Sequence, residues 1–180
     1  FVWAGLAALL WFGAIGFWDD LAKVHGGGGA DGLSQGMKII LQTLFALGLG
    51  LWMLSDASPL PADMRSMLYL PFYKAAVFDM GYLILPFVAL VVLAISNSVN
   101  FADGMDGLAT VPTAVAFMVY AVFAYVIGNA VYSQYLHFDF VAGAGELAVL
   151  NGAVLGACLG FLWYNFYPAQ IFMGDTGSMA

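Results

Sequence analysis

The chain has 180 residues, of which 63% are hydrophobic and 8% charged, with a mean hydropathy of +0.93. A water-soluble domain is nearer half apolar and a quarter charged, so this composition excludes an ordinary soluble globule and describes a chain built for lipid. Eleven acids against four bases give a net charge of −7, which excludes the basic surface that nucleic-acid binding needs and disfavours adhesion to anionic head groups.

A spanning helix needs about 20 apolar residues, with a range of roughly 17–25. Five runs meet or approach this: 1–18, 39–54, 80–96, 108–130 and 147–164. They predict an all-α polytopic membrane helical bundle of about five transmembrane helices, forming a single integral membrane domain over 1–180. Gly48 and Gly50 in the second run suit close helix packing in lipid. Pro86 in the third is expected to kink it. Cys158, the sole cysteine, lies inside the fifth run and reads as a small core residue. The Phe1 start without Met, and an end at Ala180 without a polar tail, are what a fragment would show.

Every Asp, Glu, Lys and Arg falls between the runs. The connecting loops are 19–38, 55–79, 97–107, 131–146 and 165–176. If each run crosses once, odd loops share one side of the membrane. Asp19, Asp20, Asp103, Asp106 and Asp175 all lie in odd loops, so five carboxylates converge on one face by topology. Lys and Arg do not orient the bundle: Lys23 and Lys38 in the first loop balance Arg65 and Lys74 in the second. The Gly26–Gly29 run reads as a flexible tract.

Three polar clusters at span ends carry the chemistry. Adjacent carboxylates at Asp19-Asp20 repel unless a cation or proton offsets them, and Lys23 is placed to neutralise one or to hold a phosphate. Asn97, Asn100, Asp103 and Asp106 recur every third residue. That spacing lines up on one side of a 3₁₀ turn, which Gly104 and Gly107 make plausible. In the fifth loop, Gly174 and Gly177 would allow tight turns around Asp175 and bring backbone N–H groups near an anion. Asp175 suits a hard cation such as Mg²⁺, and Phe172 could stack on a planar base. His25 neighbours the acidic pair, whereas His137 falls on the opposite side and reads as a surface residue.

Four strings carry a resemblance: Gly16-Phe-Trp-Asp19-Asp20-Leu-Ala-Lys23; Gly32-Leu-Ser34-x₃-Lys38-x₃-Gln42; Asn97-x₂-Asn100-x₂-Asp103-Gly-x-Asp106-Gly-Leu-Ala; and Asn165-x₂-Pro168-Ala-x-Ile-Phe172-Met-Gly-Asp175-Thr-Gly-Ser178. In order and spacing the chain resembles the bacterial phospho-N-acetylmuramoyl-pentapeptide transferases, or translocase I, of the polyprenyl-phosphate N-acetylhexosamine-1-phosphate transferase superfamily. Lys23 after the acidic pair and the Pro168–Asp175 string favour the muramoyl branch. The resemblance implies a Mg²⁺-dependent enzyme of peptidoglycan synthesis. It would transfer phospho-MurNAc-pentapeptide from UDP-MurNAc-pentapeptide to undecaprenyl phosphate, giving lipid I and UMP. It also implies a place in the bacterial inner membrane with the odd loops cytoplasmic, a middle portion of a fold with about ten spans, and room for a homodimer. One departure is local: where the family carries basic residues in the first loop, this chain reads His25-Gly-Gly-Gly-Gly-Ala-Asp31.

Under that resemblance Asp175 holds Mg²⁺ on the diphosphate, and Asp19 or Asp20 holds the metal-bound substrate or takes a proton from the lipid phosphate. A phosphate with a second pKa of about 6 is mostly dianionic at neutral pH, which lessens the need for a base. An aspartyl-phosphate intermediate is the rival route. Lys23 and Lys38 contact substrate. Asn165, Phe172 and Asp106 recognise the uridine, while Asn97, Asn100 and Asp103 shape the site. The alternatives are a UDP-GlcNAc polyprenyl-phosphate transferase and a cation transporter, although transport places ionisable groups nearer the midplane.

Overall fold

The computed structural model describes residues 1–25, 32–70 and 78–180. Five long helices carry the five apolar runs: α1 (Val2–His25), α2 (Gln35–Leu54), α3 (Ile84–Ala102), α4 (Thr110–Ile127) and α6 (Glu146–Asn165). A short α5 (Ala130–Leu136) lies between α4 and α6, and α7 (Gly174–Met179) follows α6. The second loop holds a small antiparallel ribbon, β1 (Met67–Leu68) with β2 (Phe78–Asp79). The shortest long helix has 18 residues, which at 1.5 Å per residue reaches about 27 Å, close to the hydrocarbon thickness of a bilayer. All five are long and apolar enough to cross a membrane, and the chain is multi-pass.

Burial is inverted relative to a soluble protein. The largest side chains with almost no exposed surface are Gln42, Thr110, Asp19 and Ser133, while Trp3, Leu10, Leu90 and Trp163 face outward. In lipid there is no hydrophobic drive to press helices together, so small residues and interhelical polar contacts must hold the interfaces. The main ones are α4 with α6, α2 with α3, and α1 with α7. Gly50 lets α2 approach α3, since a Cβ there would sit 2.9 Å from Leu85 Cδ2, whereas Gly48 faces open space. Cys158 is buried on α6 and free, as expected of a core residue.

The ends of the helices depart from the apolar runs. α1 continues past Trp18 to His25, so Asp19, Asp20 and Lys23 are helical rather than in a loop. α3 continues to Ala102, which makes Asn97 and Asn100 helical too. The expected 3₁₀ alignment of that series is therefore not formed. An α-helix satisfies its own backbone at this depth, and the chain leaves it only at Asp103, whose N–H still donates to Val99 O at 3.1 Å. The left-handed Gly107 (φ 71°) then turns the chain into α4. Pro86 does not interrupt a helix either. A 3₁₀ turn over Gly81–Leu83 precedes α3, which leaves Pro86 in the first turn, where a missing N–H costs nothing.

Ser34 caps α2 by accepting from Met37 N–H, and Asn129 caps α5. His137 closes α5 in the left-handed region (φ 58°) and is exposed, as a surface residue should be. The 26–31 stretch that replaces the family's basic residues, with its glycine tract, lies outside the described residues. So does Lys74.

Candidate functional site

The last turns of α1 and α3, the first turn of α2 and the whole of α7 meet at one end of the bundle. Asp19 is fully buried there. Its Oδ1 accepts from Leu33 N–H at 2.7 Å, a contact allowed by Gly32, where a Cβ would lie 2.5 Å from that oxygen. Its Oδ2 forms ion pairs with Lys23 Nζ at 2.6 Å and Lys38 Nζ at 2.9 Å, off hydrogen-bond alignment. The same two ammonium groups reach Asp175 Oδ2, at 3.0 Å from Lys23 and 2.9 Å from Lys38. Asp175 Oδ1 accepts from Asn100 Nδ2 at 2.9 Å, and that amide also donates to Ser178 Oγ. Two carboxylates and two ammonium groups thus alternate, their charges balanced.

Asp20 faces elsewhere. Its Oδ1 accepts from Asp175 N–H at 3.3 Å, and its Oδ2 from Thr176 N–H at 2.9 Å and Thr176 Oγ1 at 2.6 Å. The N–H groups at the start of α7 do meet an anion, but it is this protein's own carboxylate. Gly174 (φ 65°) takes the left-handed conformation that glycine allows most freely. One α1 turn earlier, Gly16 lies against the backbone of α7, where any Cβ would overlap the Asp175 carbonyl oxygen.

A polar seam joins α2 to α3 beside the cluster. Asn97 Nδ2 donates to Gln42 Oε1 at 2.8 Å, and Gln42 Nε2 to Ser96 Oγ at 3.4 Å. Asn97 is therefore a helix–helix contact, while Asn100 reaches Asp175. A second locus lies where α6 ends. Asn165 is buried; its Oδ1 accepts from Gly107 N–H at 3.1 Å and Thr110 Oγ1 at 2.9 Å, and its Nδ2 donates to Ile171 O. Asp106 Oδ2 accepts from Ala169 N–H at 3.1 Å. Together these residues latch the 103–109 turn to the loop after α6. Phe172 projects from that loop and is 69% exposed. His25 is exposed at the end of α1, its ring bonded to Leu21 O.

The electrostatics follow from this packing. Burial alone would push the Asp175 carboxyl up, but its contacts with Lys38, Asn100 and Lys23 outweigh that and hold it well below the usual carboxylate range. Asp103 goes the other way: burial, then the charges of Asp175 and Asp20, push it up against a partly offsetting backbone contact at Gly174. Asp19, Asp20 and Asp175 each bring an oxygen within 4.8 Å of the others. Such oxygen donors suit a hard divalent cation, and an ion taking the buried Asp19 Oδ2 would replace the Lys23 and Lys38 ammonium groups now paired with it. The donor set therefore fits a metal, with Asp19 and Asp175 the better placed donors, since Asp20 already accepts three hydrogen bonds from Asp175 and Thr176.

Seven of the expected residues gather here: Asp19, Asp20, Lys23, Lys38, Asn100, Asp103 and Asp175. Asn97 lies on the seam, and Asp106, Asn165 and Phe172 at the second locus. Gln42, Ser178, Gly16 and Gly32 also build the site and sit inside the motif strings. Thr176 sits in the fourth string as well, whereas Thr110 and Ser96 carry no comparable signal in the sequence.

The model for glycosyl transferase family 4 matches residues 2–180. Curated relatives named phospho-N-acetylmuramoyl-pentapeptide-transferase include one from Citrifermentans bemidjiense, 47% identical across all of this chain and 49% of its own length. One from Geobacter sp. (strain M21) has the same identity and coverage, and one from Campylobacter curvus is 43% identical with the same coverage. The chain spans about half the length of these relatives. It belongs to glycosyl transferase family 4.

Proposed function

We propose that this chain carries the central spans of a membrane phosphoglycosyl transferase that moves phospho-MurNAc-pentapeptide from UDP-MurNAc-pentapeptide to undecaprenyl phosphate. Its products are lipid I and UMP. The single observation that supports this most is the meeting of Asp19, Asp175, Lys23 and Lys38 from three helices at one end of the spans. There a lipid phosphate at the membrane surface and a water-borne nucleotide can meet. In a bacterial inner membrane that end faces the cytoplasm.

The reaction sets an oxygen of the lipid phosphate on the β-phosphorus of the nucleotide. The bond from that phosphorus to the bridging oxygen breaks, and its electron pair leaves with UMP. Repulsion between phosphates is the main obstacle. Lys23, 45% exposed at its side chain, is free to turn from the carboxylates to an incoming phosphate, and Lys38 holds the inner position. Asp175 and Asp19 would hold Mg²⁺, which when bound would neutralise charge on the diphosphate. Asn100 orients Asp175, and Asp103 shapes the site beside it. Asn165 and Asp106 shape the loop that offers Phe172 to the uracil ring. A homodimer is compatible with this reading but not needed by it, since every charge in the cluster comes from one chain.

The test is UMP release by the full-length protein with Mg²⁺ and undecaprenyl phosphate, comparing UDP-MurNAc-pentapeptide with UDP-GlcNAc. Release with the first alone is expected. Preference for UDP-GlcNAc would move the chain to the other branch, and release from neither would overturn the reading.

A further inference from the structure

Adjacent acids are easily taken as one catalytic unit, yet the two carboxylates of this pair serve different partners. Asp19 faces the lysines, 2.6 and 2.9 Å away. Asp20 stands 3.9 Å from Lys23 and gives its oxygens to the Asp175 N–H, the Thr176 N–H and the Thr176 hydroxyl. A carboxylate has about four lone-pair sites, so three accepted bonds leave little for a metal or a substrate proton.

We infer that Asp20 is a positioning residue: it seats the first turn of α7 on α1 and so sets where Asp175 presents its carboxylate. The seat has two points on one face of α1, four residues apart. At Gly16 the helix surface is bare and the backbone of α7 lies directly on it. At Asp20 the carboxylate takes up N–H groups that a helix start leaves unpaired. Gly174 completes the fit, since a Cβ there would lie only 3.1 Å from Asp20 Oδ2. Asp175 is held by its backbone to Asp20 and by its side chain to Lys23, Lys38 and Asn100. Slack at Asp20 therefore passes directly to the reacting cluster. This assignment rests on the proposed reading of that cluster as a reaction centre.

Two measurements on the full-length protein test it: amide hydrogen exchange over 173–179, and UMP release from UDP-MurNAc-pentapeptide. Losing a helix cap of this kind in Asp20→Ala is expected to speed exchange at Asp175 and Thr176 by about tenfold. Displacing Asp175 should cut UMP release by about a hundredfold. Asp20→Asn keeps one accepting oxygen and should recover part of both. Asp19→Asn should lose UMP release while exchange over α7 stays at the wild-type rate. Loss of UMP release in both Asp20 variants with unchanged exchange would overturn the inference and place Asp20 on the substrate. Should the wild type release no UMP from any UDP-sugar, the functional reading fails, and exchange alone still decides whether Asp20 seats α7.

Discussion

Gly16→Ala probes the seat of α7 with a single methyl group. The added Cβ would lie 2.5 Å from the Asp175 carbonyl carbon and 2.7 Å from Thr176 Cα, where ordinary contact starts at 3.4 Å. Both neighbours are backbone, so no rotamer change relieves the clash and α7 must retreat by roughly 1 Å. The Lys38–Asp175 contact, now 2.9 Å, then lengthens to roughly 4 Å, beyond hydrogen-bond range. Overpacking of this kind costs about 1–3 kcal/mol in stability. A misplacement of about 1 Å at a reacting group costs about a hundredfold in rate. Thermal unfolding in detergent and UMP release from the full-length protein read the two effects. Gly36→Ala is the control: nothing lies within 4 Å of its Cβ, and alanine is favoured over glycine in a helix by up to about 1 kcal/mol. Wild-type stability and turnover in Gly16→Ala would refute the seating of α7 on α1.

The other expectations concern polar contacts and pH. Gln42→Leu leaves Ser96 and Asn97 without their buried partner, and the unpaired groups should cost about 1–3 kcal/mol together with a loss of UMP release. Thr110→Val removes one of two donors to Asn165 Oδ1 and should cost about 1 kcal/mol, with the nucleotide KM rising if the loop bearing Phe172 loosens. Asp175 has a depressed pKa in the fold, so its stabilising contribution is present above the ordinary aspartate value of about 3.9. That contribution is lost as pH falls through the lower folded value; acid unfolding of Asp175→Asn should lack this component. Asp103 has the opposite sign. Its raised pKa means the charged form costs stability at neutral pH, so Asp103→Asn should unfold at a higher temperature than wild type at pH 7. The difference should vanish below about pH 3.9, where both side chains are neutral.

The five spans were legible because an apolar run of membrane length is seldom anything but a crossing helix, and crossing parity alone brought the acids to one end. The ends of the spans were not. Asp19, Asp20 and Lys23 read as loop because charges stop a hydropathy run, but a helix can carry them beyond the hydrocarbon without breaking. The three-residue spacing of Asn97 and Asn100 suggested a 3₁₀ turn. On the α-helix that forms instead, three residues turn through about 300°, so Asn97 meets Gln42 on α2 while Asn100 meets Asp175 on α7. The different partners of Asp19 and Asp20 were illegible for a related reason. Neighbours on a helix differ in facing by about 100°, and only the positions of α2 and α7 decide what each one meets.

The metal role of Asp175 in the proposed transferase is tested most directly by UMP release across a Mg²⁺ titration, comparing full-length wild type with Asp175→Asn. Mg²⁺-dependent release by the wild type and its near-complete loss in the variant are the expected results. Near-normal turnover in Asp175→Asn with an unchanged Mg²⁺ requirement would contradict that role.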